Sequence, residues 1–123
     1  MIFIFGGAYQ GKLDYAVENF GVKTVSDCRG GKTPDFTKDA VCSIEDFVLA
    51  CVREGEDPGE FFRRRKEEWR DKVLICRDVS RGIVPVDPIM RKYREETGRL
   101  MVYLAAEADR VIRVFCGIGK REK

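Results

Sequence analysis

Five apolar residues, Met1-Ile2-Phe3-Ile4-Phe5, run without alternation into Gly6-Gly7-Ala8-Tyr9-Gln10-Gly11-Lys12, and this junction constrains the chain most. An apolar run with no polar face describes a strand covered on both sides, as in a parallel sheet. Leu13, Ala16, Val17 and Phe20 then recur at helical spacing, and Gly21 stands where a helix C-terminal glycine belongs. Between strand and helix lies the pattern G-x-x-x-x-G-K. Its glycines let backbone N–H groups turn inward around an anion with no Cβ in the way. The following helix directs its positive end at the same point, and Lys12 adds a mobile charge. Gly6, Gly7, Ala8, Tyr9, Gln10, Gly11, Lys12 and Leu13 are therefore the candidate contacts to the phosphates of a nucleotide.

Leu13 departs from this pattern, because a serine or threonine hydroxyl normally holds Mg²⁺ at that position. Leucine cannot ligate a metal, and it falls on the apolar face of the helix. A carboxylate at a neighbouring strand end would have to support the metal. Asp27 follows a short strand expected at residues 22–26, and Asp78 follows a more apolar one at 72–76. Either could hold Mg²⁺ or activate an acceptor hydroxyl. The commoner role of a lone strand-end aspartate is to cap a turn.

The remaining chain alternates strands and helices. Residues 27–38 are glycine- and proline-interrupted and polar, which predicts a loop. Ser43 before Asp46, and Asp57 before Glu60, have capping-box spacing; Asp57-Pro58 and Asp87-Pro88 place a cap before a first-turn proline. Helices are expected after Ser43, after Asp57 and over residues 88–108, with further strands at 72–76 and 111–116. The order predicts one α/β domain over residues 1–123, with a mostly parallel sheet and helices on both faces. The length of 123 residues suits a single domain.

Twenty-three basic residues against 21 acidic ones leave a net charge of +2, too little for a general attraction to nucleic acid or anionic membrane. The basic run Arg63-Arg64-Arg65-Lys66 is interleaved with acids just downstream, and reads as a solvated helix face. Five cysteines without a Cys-x-x-Cys pair, and no histidine, exclude mixed Cys/His zinc sites and suggest free thiols in the cytoplasm. No apolar stretch reaches the roughly 20 residues of a membrane span.

The second half carries a resemblance. Asp78-Val79-Ser80-Arg81-Gly82-Ile83-Val84-Pro85 leads to Arg91-Lys92-Tyr93-Arg94-Glu95-Glu96-Thr97-Gly98-Arg99. Leu104-Ala105-Ala106-Glu107-Ala108-Asp109-Arg110-Val111 and Gly117-Ile118-Gly119 follow. With the opening Gly-Gly-Ala-x-x-Gly-Lys and Asp27-Cys28, this series resembles the adenosylcobinamide kinase / adenosylcobinamide-phosphate guanylyltransferase family of cobalamin biosynthesis.

The resemblance implies a P-loop NTPase-like fold, a homo-oligomer, ATP or GTP with Mg²⁺, and phosphorylation of a hydroxyl of cobinamide or a related small molecule. It implies Lys12, Asp27 and Asp78 as catalytic residues, Asp27 as the metal ligand, and Gly82, Arg91 and Arg94 at the substrate. The bland alternative for Arg91 and Arg94 is a solvated basic edge. The chain departs from the family in lacking the histidine that carries GMP, so guanylyl transfer by that route is excluded. Arg77 replaces an asparagine, Asp78 a glutamate, and Met101-Val102 a polar pair. These losses leave a second expectation open: a non-catalytic descendant that binds a nucleotide, a corrinoid or a protein partner.

Overall fold

A computed structural model describes every residue except Arg81. In chain order the elements are β1 (Ile2–Gly6), α1 (Lys12–Phe20), β2 (Val25–Asp27), β3 (Ala40–Cys42), α2 (Ile44–Glu54) and α3 (Pro58–Arg64). There follow α4 (Lys66–Trp69), β4 (Val73–Arg77), α5 (Pro88–Glu107), β5 (Arg110–Phe115) and β6 (Ile118–Arg121). The described strands form one six-stranded sheet in the order β2-β3-β4-β1-β5-β6. All neighbours are parallel except β5 and β6, which make an antiparallel hairpin. β1 is interior, with Ile2–Gly6 alongside Val73–Arg77 on one side and residues 2–5 alongside residues 110–113 on the other.

Side chains alternate across the strands and divide the core in two. Phe3, Val41, Leu74, Cys76 and Val111 join Phe47, Val48, Phe62, Trp69, Leu100 and Leu104 from α2 to α5. On the opposite face Ile4, Val73, Ile75, Ile112 and Val114 join Ala16, Leu13 and Phe20 of α1. Helices thus cover both faces, as the alternation predicts. Trp69 is buried, and its indole N–H donates to the Phe62 carbonyl at 2.8 Å, which satisfies the one polar atom this large side chain brings inside. No helix among the described residues is long and apolar enough to cross a membrane.

The element boundaries differ from expectation in specific places. The expected strand at residues 22–26 begins at Val25 and runs to Asp27. The pattern gives no strand at Ala40–Cys42, yet all three residues are buried between β2 and β4. Three residues are too few to show a period, and the polar loop before them masks the change. β6 is likewise absent from the pattern, because glycine, lysine and arginine dominate its sequence.

Asp57 and Asp87 cap as expected, accepting first-turn N–H groups of α3 and α5. Ser43 does not: it adopts φ 56 and makes no side-chain cap bond. The helix expected after Asp57 breaks at Arg65 into α3 and α4. Val17 is 46% exposed, so α1 leans on the sheet through Leu13, Ala16 and Phe20.

Candidate active site

The carboxyl ends of β1, β4 and β2 converge on the loop that joins β1 to α1. Helices after β1 and β4 lie on opposite faces, so a crevice opens between these two strands, where ligands of open α/β sheets bind. Gly6 ends β1 at φ 158, and a Cβ there would lie 2.4 Å from the Val114 carbonyl oxygen. Gly11, left-handed at φ 81, starts α1 without a side-chain cap. The first-turn N–H groups of α1 have no acceptor within the helix and face the loop. Lys12 Nζ donates to the Gly7 carbonyl at 2.6 Å, folding the lysine back over its own loop.

The loop is tied to the far end of the chain. The Gln10 carbonyl accepts the Gly117 N–H at 2.8 Å, and Gln10 Oε1 accepts the Cys116 N–H at 2.6 Å. Gly119 meets α1 so closely that a Cβ would fall 2.2 Å from the Tyr15 ring. The β5–β6 hairpin therefore braces both the loop and its helix. Tyr9, at φ 57, stands fully exposed at the loop's tip.

A cavity of about 740 Å³ opens over residues 8–13 and is closed by Asp27, Ser43, Glu45, Asp46 and Arg77. Its carboxylates build the walls. Asp27 accepts the Arg29 N–H at 3.0 Å, Asp46 the Gly30 N–H at 2.9 Å, and Glu45 the Arg77 N–H at 2.8 Å. Burial raises the Asp27 pKa, but the Arg29 N–H and the Ser43 and Cys42 side chains outweigh it and hold it below the usual carboxylate range. Burial lowers the Lys12 pKa, against the opposing pull of Glu45. Burial also pushes the Cys28 thiol up to about 12 and the Cys42 thiol to about 11, so neither supplies a thiolate nucleophile.

The donors present do not fit a protein-held Mg²⁺. Leu13 packs with the α1-side core, Asp27 is engaged with a turn amide, and no cluster of three ligating side chains occurs among the described residues. Asp27 lines the cavity wall with one carboxylate oxygen on the Arg29 turn amide.

A second cavity, about 320 Å³, adjoins the first and shares Ala8 and Arg77 with it. Asp78, Tyr93 and Arg94 complete its polar lining. Asp78 Oδ1 accepts both the N–H and the hydroxyl of Ser80, and the Asp78 N–H donates to the Gly6 carbonyl at 2.8 Å. Arg94 binds the carbonyls of Ser80 and Gly82, so it fastens the loop after β4 to α5. Gly82 lies in that loop at φ 97 and lines neither cavity, and Arg91 is exposed on a shallow groove of α5 that Arg94 also lines.

Two residues of the site are missing from the sequence reading. Glu45 is 8% exposed and reaches the crevice from the first turn of α2. The adjacent acids Glu45 and Asp46 behind a buried tripeptide were the available signal, and it needed β3 to be legible. Arg77 registers in the sequence only as a departure from a family pattern, while the structure puts it beside Gly6.

The sequence model of the cobinamide kinase / cobinamide phosphate guanyltransferase family matches residues 56–121, which hold β4, the Asp78 loop, α5 and the bracing hairpin. The bifunctional adenosylcobalamin biosynthesis protein CobU of Salmonella typhimurium is 43% identical over 51 residues, 42% of this chain and 28% of that protein. A polyribonucleotide nucleotidyltransferase of Bdellovibrio bacteriovorus is 30% identical over 101 residues, 82% of this chain and 14% of that protein. The chain thus spans less than a third of either relative. With over half its length matched by the family, and the α/β sheet in place around a phosphate-type loop, the chain belongs to the cobinamide kinase / cobinamide phosphate guanyltransferase family.

Proposed function

We propose that this chain binds ATP or GTP, with the phosphates seated on the 6–12 loop and the first turn of α1. The observation that carries the reading is Lys12, closed on the Gly7 carbonyl at 2.6 Å beside unpaired helix-start amides. A phosphate oxygen offers that ammonium a charged acceptor in place of a neutral one, and meets the helix at its positive end. Guanylyl transfer through a histidine lies outside this chain's chemistry, since it has none.

The adjoining cavity favours a second reading, phosphorylation of a hydroxyl of cobinamide or a related small molecule. Arg77 and Ala8 border both spaces, so an acceptor held in the second would lie next to a terminal phosphate held in the first. Asp78 lies in that second cavity, where its carboxylate would take the hydroxyl proton.

Titration calorimetry with ATP and GTP, repeated on Lys12→Ala, tests the binding. A loss of at least about tenfold is expected from one charge-assisted contact. Equal affinity in the variant would refute the assignment. Incubation with adenosylcobinamide and a search for the phosphate ester decides the second reading. Nucleotide binding with no ester formed would mark a binding module without turnover.

A further inference from the structure

Leu13 lacks the hydroxyl that usually holds the metal bridging the outer phosphates, so a cation of the chain itself is the natural replacement for that metal's charge. Among the described residues, three cations other than Lys12 line the two cavities. Arg29 borders only the first, at the β2 edge. Arg94 is committed to the carbonyls of Ser80 and Gly82. Arg77 borders both cavities, at the gap where a terminal phosphate would meet an acceptor.

Its position is fixed from three sides. Arg77 is the register partner of Gly6, the first residue of the loop. Its backbone N–H donates to Glu45 Oε1 at 2.8 Å, and its side chain lies against the Tyr93 hydroxyl. It also acts on Lys12 through space, so the two charges converge on one region. A guanidinium is planar and always charged, and it can present two parallel donors to a phosphate.

We propose that Arg77 is the built-in counter-ion of the outermost nucleotide phosphate, and that nucleotide binding by this chain does not require a divalent cation. The inference rests on the nucleotide-binding reading above and adds which residue replaces the metal's charge.

The test is calorimetric titration with ATP, ADP and AMP, each in EDTA and in Mg²⁺, on the wild type, Arg77→Met and Arg77→Lys. Wild-type affinity for ATP in EDTA is expected within about threefold of that in Mg²⁺. Arg77→Met should lose roughly ten- to a hundredfold in ATP affinity, by the usual worth of a charged hydrogen-bonded contact, and almost nothing for AMP. Arg77→Lys should keep part of the ATP affinity. Thermal unfolding checks each variant, and Arg77→Gln serves in the same way if Arg77→Met does not fold.

ATP binding that vanishes in EDTA, or that is unchanged in Arg77→Met, overturns the inference alone, provided Lys12→Ala still lowers affinity at least about tenfold. Equal loss for AMP and ATP in Arg77→Met also overturns it. No ATP binding by the wild type in either buffer overturns the nucleotide reading and this inference together.

Discussion

Replacing Gly6 by alanine tests whether the loop's geometry is dictated where β1 meets β5. The new Cβ would sit 2.4 Å from the Val114 carbonyl oxygen, inside the 3.0 Å that such contacts essentially never breach. Neither side yields easily. Val114 lies within β5, whose residues 110–113 pair with residues 2–5 of β1, and the Gly6 carbonyl holds the Asp78 N–H at 2.8 Å. Overpacking of this kind costs about 1–3 kcal/mol. The φ of 158 adds about 1–3 kcal/mol, since L side chains rarely adopt it. Together these give roughly 2–6 kcal/mol, or a fall in melting temperature on the order of 10 °C or more. Urea denaturation read by Trp69 fluorescence measures the change, and nucleotide titration reports the loop directly. A Gly6→Ala protein within about 0.5 kcal/mol of wild type, the usual range for neutral surface changes, would refute the steric argument.

Other predictions follow from single contacts. Asp57→Ala removes the acceptor of the Gly59 and Glu60 N–H groups and should cost about 1 kcal/mol in urea denaturation. Trp69→Phe leaves the Phe62 carbonyl without its indole donor and should cost about 1–3 kcal/mol in urea denaturation followed by far-UV circular dichroism, since it removes the single tryptophan. A thiol reagent should titrate Cys116 alone in the native protein and all five cysteines in denaturant, because the other four are buried. The lowered Lys12 pKa has two opposite signatures. Between its folded value and 10.5 the unfolded chain binds more protons, so folding stability rises with pH, whereas nucleotide affinity falls as the charge is lost. Affinity measured from pH 7 to 10 should decline in the wild type and stay flat in Lys12→Arg.

The parts legible in the sequence were those with a period or a strong local signal. β1, β4 and β5 show as apolar runs, α5 as a repeat through Tyr93, Thr97, Leu100 and Leu104, and the two Asp-Pro caps as they stand. β3 was not legible, because Ala40–Cys42 gains its strand character from β2 and β4 on either side. Ser43 has the composition of a cap, yet its hydroxyl serves Asp27 while its backbone turns left-handed to bring Glu45 into the crevice. The phosphate loop could be read in a line; its walls could not. Glu45 and Arg77 reach the site across the sheet, 32 residues apart, through one hydrogen bond that no spacing rule encodes.

The brace on Gln10 bears on the order in which the site is completed during synthesis. The loop is made first, but Gln10 Oε1 finds its donor 106 residues later, at Cys116. Until β5 and β6 have emerged, β1 lacks one of its two neighbours and the loop lacks its anchor. A nascent chain halted before the hairpin would carry the full glycine-lysine pattern without the shape that grips phosphate. Competence to bind therefore arrives as a late event of folding, and a nucleotide present at that moment would help to draw the two ends of the chain together.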